Sequence, residues 1–339
     1  MDETEQIGRD AGSAWNRCRY VPGSSAGHYE SYFQRANHPT RPLAFWIRYT
    51  IFSPRRRPAE AVGELWAIWF DGERNRIVAA KEDVPLARCA FGRDGVLARI
   101  GAAILGDDRL AGSVRSGDHV LGWDLAYGGG DDPLLLLPQA LYDRARPKAK
   151  ALVGRPNARY RGMLTVDAEA HAIEGWVGSQ NHNWGARHTD RYAWGQVAGF
   201  DDEPATFLEV ATAQLRIGPF RLPAMTLLVL RLGDEHHVLN SLRQARHARG
   251  RVDGLHWRFA SASAAVAIEG TISAPASRFV ALRYRNPPGG VKVCLNSKLA
   301  ACELTVRRPG RPPLALRSAQ RAAFEILDDA TRAGVSIVV

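Results

Sequence analysis

Nearly every stretch of this chain that carries a readable pattern carries the pattern of a β-strand. Residues 28–34 (His-Tyr-Glu-Ser-Tyr-Phe-Gln) and 44–52 (Ala-Phe-Trp-Ile-Arg-Tyr-Thr-Ile-Phe) are aromatic and β-branched, types that fit a pleated, half-buried surface. The turn-forming run Asn37-His38-Pro39-Thr40-Arg41-Pro42 between them predicts an antiparallel pair. Leu65–Phe70 and Arg76–Lys81 flank Asp71-Gly72, the signature of a hairpin or short loop. Further strands are predicted at 119–127, 159–166, 171–177, 225–232, 255–260, 264–268, 278–284 and 291–295. Helix candidates are few: 134–142, whose leucines also suit a strand, and 317–327. Without regular alternation of strand and helix an open parallel sheet is disfavoured, and short strands between turn signals predict a sandwich or barrel.

A chain of 339 residues exceeds the usual size of a single core, so two domains are expected. Prolines and charges interrupt the strand pattern at Arg146-Pro147-Lys148-Ala149-Lys150 and again at Arg155-Pro156. The expected division is therefore 1–150 and 151–339, two successive antiparallel β-barrel or sandwich domains. The glycines of Gly128-Gly129-Gly130-Asp131-Asp132-Pro133 lack the Gly-Lys-Ser/Thr of a phosphate loop and read as a flexible turn. Gly23-Ser24-Ser25-Ala26-Gly27 formally satisfies Gly-x-Ser-x-Gly, but Pro22 precedes it and a strand follows, the wrong context for a nucleophile elbow.

Hydrophobic residues at 45% and charged residues at 24% match an ordinary globular chain, and no apolar run approaches a membrane-spanning length. The acidic, polar start Met-Asp-Glu-Thr-Glu-Gln has no basic region leading into an apolar one, so export is not expected and the cytoplasm is the expected compartment. Cys18, Cys89, Cys294 and Cys302 match neither zinc nor thioredoxin spacing and are expected to be reduced thiols. The net charge of +10 comes from 40 Arg and 5 Lys scattered along the chain. Arg55-Arg56-Arg57 and Arg307-Arg308 lack the interleaved aromatics of a single-strand binder, so nucleic acid is not an expected partner. A solvated basic surface is expected, with contact to an anionic membrane as the alternative. The oligomeric state is not legible.

Residues 176–196 concentrate the chemistry. They hold two His, three Trp, one Tyr, one Asp and four side-chain amides, a mixture that suits the wall of a pocket for a large, mostly hydrocarbon ligand. Alternation places His182 with Trp184 on one strand face, and Tyr192 with Trp194 likewise. The local acids are His182, His188 and Asp190; Gln180, Asn181, Asn183 and Gln196 supply hydrogen bonds. On the predicted strand 28–34, Glu30 shares a face with His28 and Tyr32, opposite Tyr29 and Phe33. Glu30 and Tyr32 are candidates to reach the same pocket, and a buried ion pair at Glu30 is the alternative. His-x5-His-x-Asp on a strand and loop does not match the helical zinc arrangement, and neither metal nor cofactor is expected.

Gly27-His28-Tyr29-Glu30-Ser31-Tyr32-Phe33-Gln34, followed by Pro42-Leu43-Ala44-Phe45-Trp46-Ile47-Arg48-Tyr49, resembles the first strand pair of tocopherol cyclases and related lipocalin-like proteins. Gln180-Asn181-His182-Asn183-Trp184-Gly185 is similar to a second landmark of that superfamily, in which carotenoid 1,2-hydratases carry a His-x-Trp matched by His182 and Trp184. The AttH-like proteins belong to the same superfamily, and the fungal lipocalin-type Diels-Alderases are a more distant comparison. The hydratases also carry a Tyr-x-Asp downstream, which is absent here; Asp190-Arg191-Tyr192 has the same types in reverse order. The resemblance implies two successive lipocalin-like domains with an apolar ligand site between or inside them. It also implies protonation of an isoprenoid alkene, with trapping of the cation by water or a phenol. Such chemistry needs a positioned acid and an electron-rich wall, for which Trp184, Tyr192 and Trp194 are candidates. The expected activity is cofactor-independent hydration, cyclisation or isomerisation of an isoprenoid, polyene or similar apolar molecule. A non-catalytic carrier of the same ligand is the alternative.

Overall fold

In the computed structural model, residues 15–93, 97–217, 219–328 and 335 are described. The first sheet takes the first twelve strands: β1 (His28–Asn37), β2 (Leu43–Ser53), β3 (Val62–Asp71), β4 (Arg76–Pro85), β5 (Cys89–Phe91), β6 (Ala98–Ile100), β7 (Ala103–Leu105), β8 (Arg109–Ser116), β9 (His119–Gly128), β10 (Leu134–Leu135), β11 (Ala149–Val166) and β12 (Glu169–Gly185). Their order is β4-β3-β2-β1-β12-β11-β9-β8-β7-β6-β5, with β10 beside β11, and β4 packs back against β8 and β9 to curl the sheet into a barrel.

The remaining strands are β13 (Arg191–Ala198), β14 (Phe207–Gln214), β15 (Arg216–Ile217), β16 (Phe220–Arg221), β17 (Met225–Leu232), β18 (Glu235–Leu239), β19 (Arg249–Asp253), β20 (His256–Ala262), β21 (Ala267–Ser273), β22 (Val280–Arg285), β23 (Val291–Arg307) and β24 (Leu314–Asp328). They form a second sheet in the order β18-β17-β14-β13-β24-β23-β21-β20-β19, with β22 beside β23; β15 and β16 pair separately. Here β17 packs against β19 and β20. The expected all-β, two-domain antiparallel architecture is observed.

Two expectations are corrected. The division does not fall at 150/151, because β11 and β12 complete the first sheet and the chain enters the second only at β13, after the connection 186–190. Pro156 misled because it sits where β11 slips register against β12 between Arg155 and Ala158, a bulge that tolerates the missing N–H. The second correction concerns 317–327, which is strand, paired to β13 and β23 on either side. Its Ala-rich composition favours a helix locally, but two flanking ladders and a buried Ala322-Ala323-Phe324 run override that preference. Segment 134–142 forms the short β10 and a 3-10 turn at Gln139–Leu141. The one α-helix among the described residues, α1 (Leu242–His247), starts at a capping box in which Ser241 and Gln244 bond reciprocally. No described helix is long and apolar enough to cross a membrane, and all four cysteines are free.

Strand β2 shows how the barrels meet. Phe45, Ile47 and Tyr49 fill the first barrel, while Ala44 and Trp46 turn outward into a cluster with Trp66, Ile68 and Phe70 of β3 and with Val280, Leu282, Tyr284 and Leu327 of the second sheet. Both faces are buried, which is why β2 is apolar on both faces, interrupted only by Arg48 and Thr50 before its terminal Ser53.

Candidate active site between the barrels

The outward faces of the two sheets do not close completely on each other. A cavity of about 280 Å³ remains, just below the usual range for small-molecule sites. The first sheet contributes Phe33, Trp46, Arg48, Asn181 and Asn183; the second contributes Tyr192, Trp194, Glu209, Tyr284 and Glu325; α1 borders it through Leu242 and Ala245. The stretch 176–196 crosses from one wall to the other.

The register sorts the predicted residues. Tyr32 pairs with His182 and Glu30 with Trp184, so these four share the inner face of the first barrel, and Gln180 joins them opposite Gln34. There His182 Nε2 lies 2.8 Å from one Glu30 oxygen, its ring stacks on Tyr32 with centroids 4.3 Å apart, and Trp184 lies 4.7 Å from it. The same carboxylate accepts from the Arg19 backbone N–H at 2.9 Å, meets His28 Nε2 at 2.9 Å and receives the Tyr32 hydroxyl at 3.3 Å. Burial opposes the Glu30 charge, but the His182 and His28 bonds outweigh it and hold the carboxyl well below the usual range. Residues 15–20 seal this end: His182 Nδ1 faces the Trp15 carbonyl at 3.3 Å, Asn16 bonds Gln180, and the Arg19 guanidinium covers the Trp184 ring at 3.8 Å. The Glu30 group is the buried ion-pair alternative; of its members His182 also borders the cavity, whereas Glu30, Tyr32 and Trp184 do not.

The other two predicted acids are also committed elsewhere. His188 borders the cavity, sandwiched between Tyr29 at 4.1 Å and Tyr284 at 5.7 Å, with Nε2 donating to the Arg285 carbonyl. Burial, with Arg48 nearby, pushes its pKa down to about 3, so it is neutral at physiological pH. Asp190 pairs with Arg187 and accepts the Arg216 backbone N–H, fixing the turn between the sheets. His182, His188 and Asp190 are thus not assembled as a group.

On the cavity side, Tyr192 and Trp194 do share a face, and they bring a residue that sequence reading missed. Trp194 Nε1 donates to Glu209 Oε1 at 2.7 Å, and Gln196 Nε2 donates to Oε2 at 2.9 Å. Glu209 is 2% exposed. Burial pushes its pKa up to about 7, against the opposing pull of the two bonds and of Arg35. Glu325, opposite Trp194 across the ladder, accepts from Asn296 at 2.8 Å and Lys298 at 2.9 Å, with the Tyr192 hydroxyl 3.4 Å away. Burial holds Tyr192 well above the ordinary phenol range, so its hydroxyl keeps its proton. Gln196 also accepts from Arg35 at 2.7 Å and donates to Asn181 at 2.8 Å, tying the two walls together. The legible signal for Glu209 was a lone carboxylate in the apolar run Phe207–Ala211.

No family model matches the chain. Uncharacterized protein Rv0493c of Mycobacterium tuberculosis H37Rv is 24% identical over 280 residues, covering 81% of this chain and 80% of that protein; MT0513 of strain CDC 1551 matches equally. Among solved structures, a putative AttH from Nitrosomonas europaea (NE1406) superposes with a TM-score of 0.57 at 12% identity, covering 93% of this chain and all of that one. The chain shares its overall fold with that structure. CghA with Sch210972 superposes with a TM-score of 0.50 at 12% identity, covering 92% of this chain and 94% of that one.

Proposed function

We propose that the protein is an acid catalyst that hydrates, cyclises or isomerises an apolar small molecule held between its two barrels, with neutral Glu209 as the proton donor. The observation that carries this reading is Glu209 itself: a buried carboxyl in an aromatic-lined cavity, balanced near neutrality by burial and held by Trp194 and Gln196. An acid with a pKa near the working pH combines a populated proton with the drive to give it up. Transfer of that proton to an alkene carbon or carbonyl oxygen leaves positive charge on the ligand and a carboxylate on Glu209. Trp46, Tyr192 and Trp194 line the cavity, and a ring face turned to the ligand is worth about 0.5–2 kcal/mol to a cation. Water adding to the cation returns its surplus proton to the carboxylate; an internal nucleophile or the loss of a neighbouring proton gives cyclisation or isomerisation instead. The resemblance of residues 27–49 and 180–185 to cyclases and hydratases of isoprenoids supports this reaction class.

Glu209→Gln keeps the shape and an acceptor for Trp194 but cannot give up a proton. Across a panel of prenylated quinols and polyenes, we expect it to lower kcat by about 100-fold or more while ligand affinity, followed by tryptophan quenching, stays within about threefold. Undiminished turnover in this variant rules out Glu209 as the acid. Tight binding without turnover by the wild type across the panel makes the protein a carrier.

A further inference from the structure

The first-sheet wall of the cavity holds hydrogen-bonding capacity that the protein does not use. Trp46 and Arg48 are two residues apart on the outward face of β2, 1% and 4% exposed, and both line the cavity. Among the described residues neither Trp46 Nε1 nor Arg48 Nε has a hydrogen-bond partner. On β12, opposite Ser31 of β1, the Asn183 side-chain oxygen is likewise buried without a partner among the described residues. A buried polar atom without a bond partner is unfavourable, so three on one wall call for an explanation.

Arg48 is the telling member. Its guanidinium donates to Ser31 Oγ at 2.6 Å and lies over the Tyr284 ring at 4.6 Å; among the described residues no carboxylate is hydrogen-bonded to it, and Glu64 meets its charge only at longer range. The nearby Glu64 is committed: one oxygen takes Arg285 Nε at 2.7 Å and Lys81 at 3.2 Å, and the other takes Trp66 Nε1 at 3.3 Å. Buried guanidinium groups are ordinarily matched by an anion.

We propose that Arg48 binds a carboxylate of the ligand, so that the substrate is an amphipathic acid rather than a plain hydrocarbon. The two polar poles lie apart along β1. Arg48 bonds at Ser31, whereas Gln196 joins Glu209 to Arg35, four residues further along the strand, roughly 13 Å by strand rise. Phe33 lies between them and meets Trp194 edge-on with centroids 6.2 Å apart. The head group sits at Arg48, the hydrocarbon crosses Phe33 and Trp46, and the reacting carbon reaches Glu209. This assignment rests on the cavity being the ligand site, but not on Glu209 being the acid.

Dodecanoate and its methyl ester, titrated at pH 7.5 into the whole protein with tryptophan quenching as readout, share one hydrocarbon and differ in charge. We expect the wild type to prefer the acid at least tenfold, and Arg48→Met to erase the preference while ester affinity stays within about threefold. Thermal unfolding checks that the variant is folded; should Arg48→Met fail to fold, Arg48→Gln, which keeps a polar side chain without charge, is expected to erase the preference too. Equal affinity for acid and ester in the wild type, or a preference that survives loss of the charge, overturns the assignment and leaves the cavity as the binding site. Failure of both probes to bind overturns the cavity reading and the assignment together.

Discussion

Glu209 and Glu30 are both buried carboxyls, and their surroundings push them in opposite directions. Glu30 has His182, His28 and a backbone N–H to support its charge, whereas Glu209 has two neutral donors and a more distant Arg35, set against its burial and the repulsion of Glu325. Burial therefore wins at Glu209. The neutral form that donates the proton is populated below about 7 and lost above it, so kcat is expected to fall about tenfold per pH unit on the alkaline side. The profile should flatten in Glu209→Gln. The linkage has the same sign: a carboxyl raised from 4.5 to about 7 contributes stability below 4.5, and that contribution is lost as pH rises through 7. None of this was readable from sequence, because Leu208-Glu209-Val210 shows a carboxylate on a strand but not the neighbours that set its charge. Tyr192 and Trp194 were legible, since spacing by two fixes a shared face wherever the strand goes.

At the scale of elements, the same rule explains how the predicted residues are divided between the two faces of β12. Asn181 and Asn183 alternate with His182, so β12 presents its amides to the cavity and its imidazole to the barrel interior. Composition locates such a strand; which face meets which neighbour depends on a partner sheet encoded far away. His182 serves the seal formed by residues 15–20. We expect His182→Gln to leave kcat within about threefold while destabilising the fold by a few kcal/mol, since it removes a partner of a buried charge. Glu30, depressed below its ordinary 4.5, contributes stability that is present above that value and lost as pH falls through its folded value. Glu30→Gln should therefore weaken the acid-side loss of stability, read as denaturant midpoints between pH 3 and 7. Loss of turnover in a folded His182→Gln protein would return that histidine to the reaction.

For the molecule as a whole, strand content and two-domain architecture were legible because period-two patterns and turn residues are local. The division was not, since a proline in a bulge and a proline in a linker look alike in one dimension. Outward Trp46, Trp66 and Phe70 belong to the contact between barrels as much as to their own sheet. Cutting the chain within 186–190 and producing the halves separately should therefore expose apolar faces; we expect either half alone to aggregate or bind a hydrophobic dye, and co-production to restore a soluble pair. Two soluble, dye-silent halves would show that the barrels do not need each other.

The brevity of the connection 186–190 has a thermodynamic reach of its own. Because β12 ends in one wall and β13 begins the other, docking of the barrels is an intramolecular event at high effective concentration, free of the translational and rotational entropy that separate partners lose. A contact held by its tether does not have to be packed throughout. The interface can leave a gap lined with unspent hydrogen-bonding groups and a buried carboxyl, and the tether keeps that gap assembled before any ligand arrives.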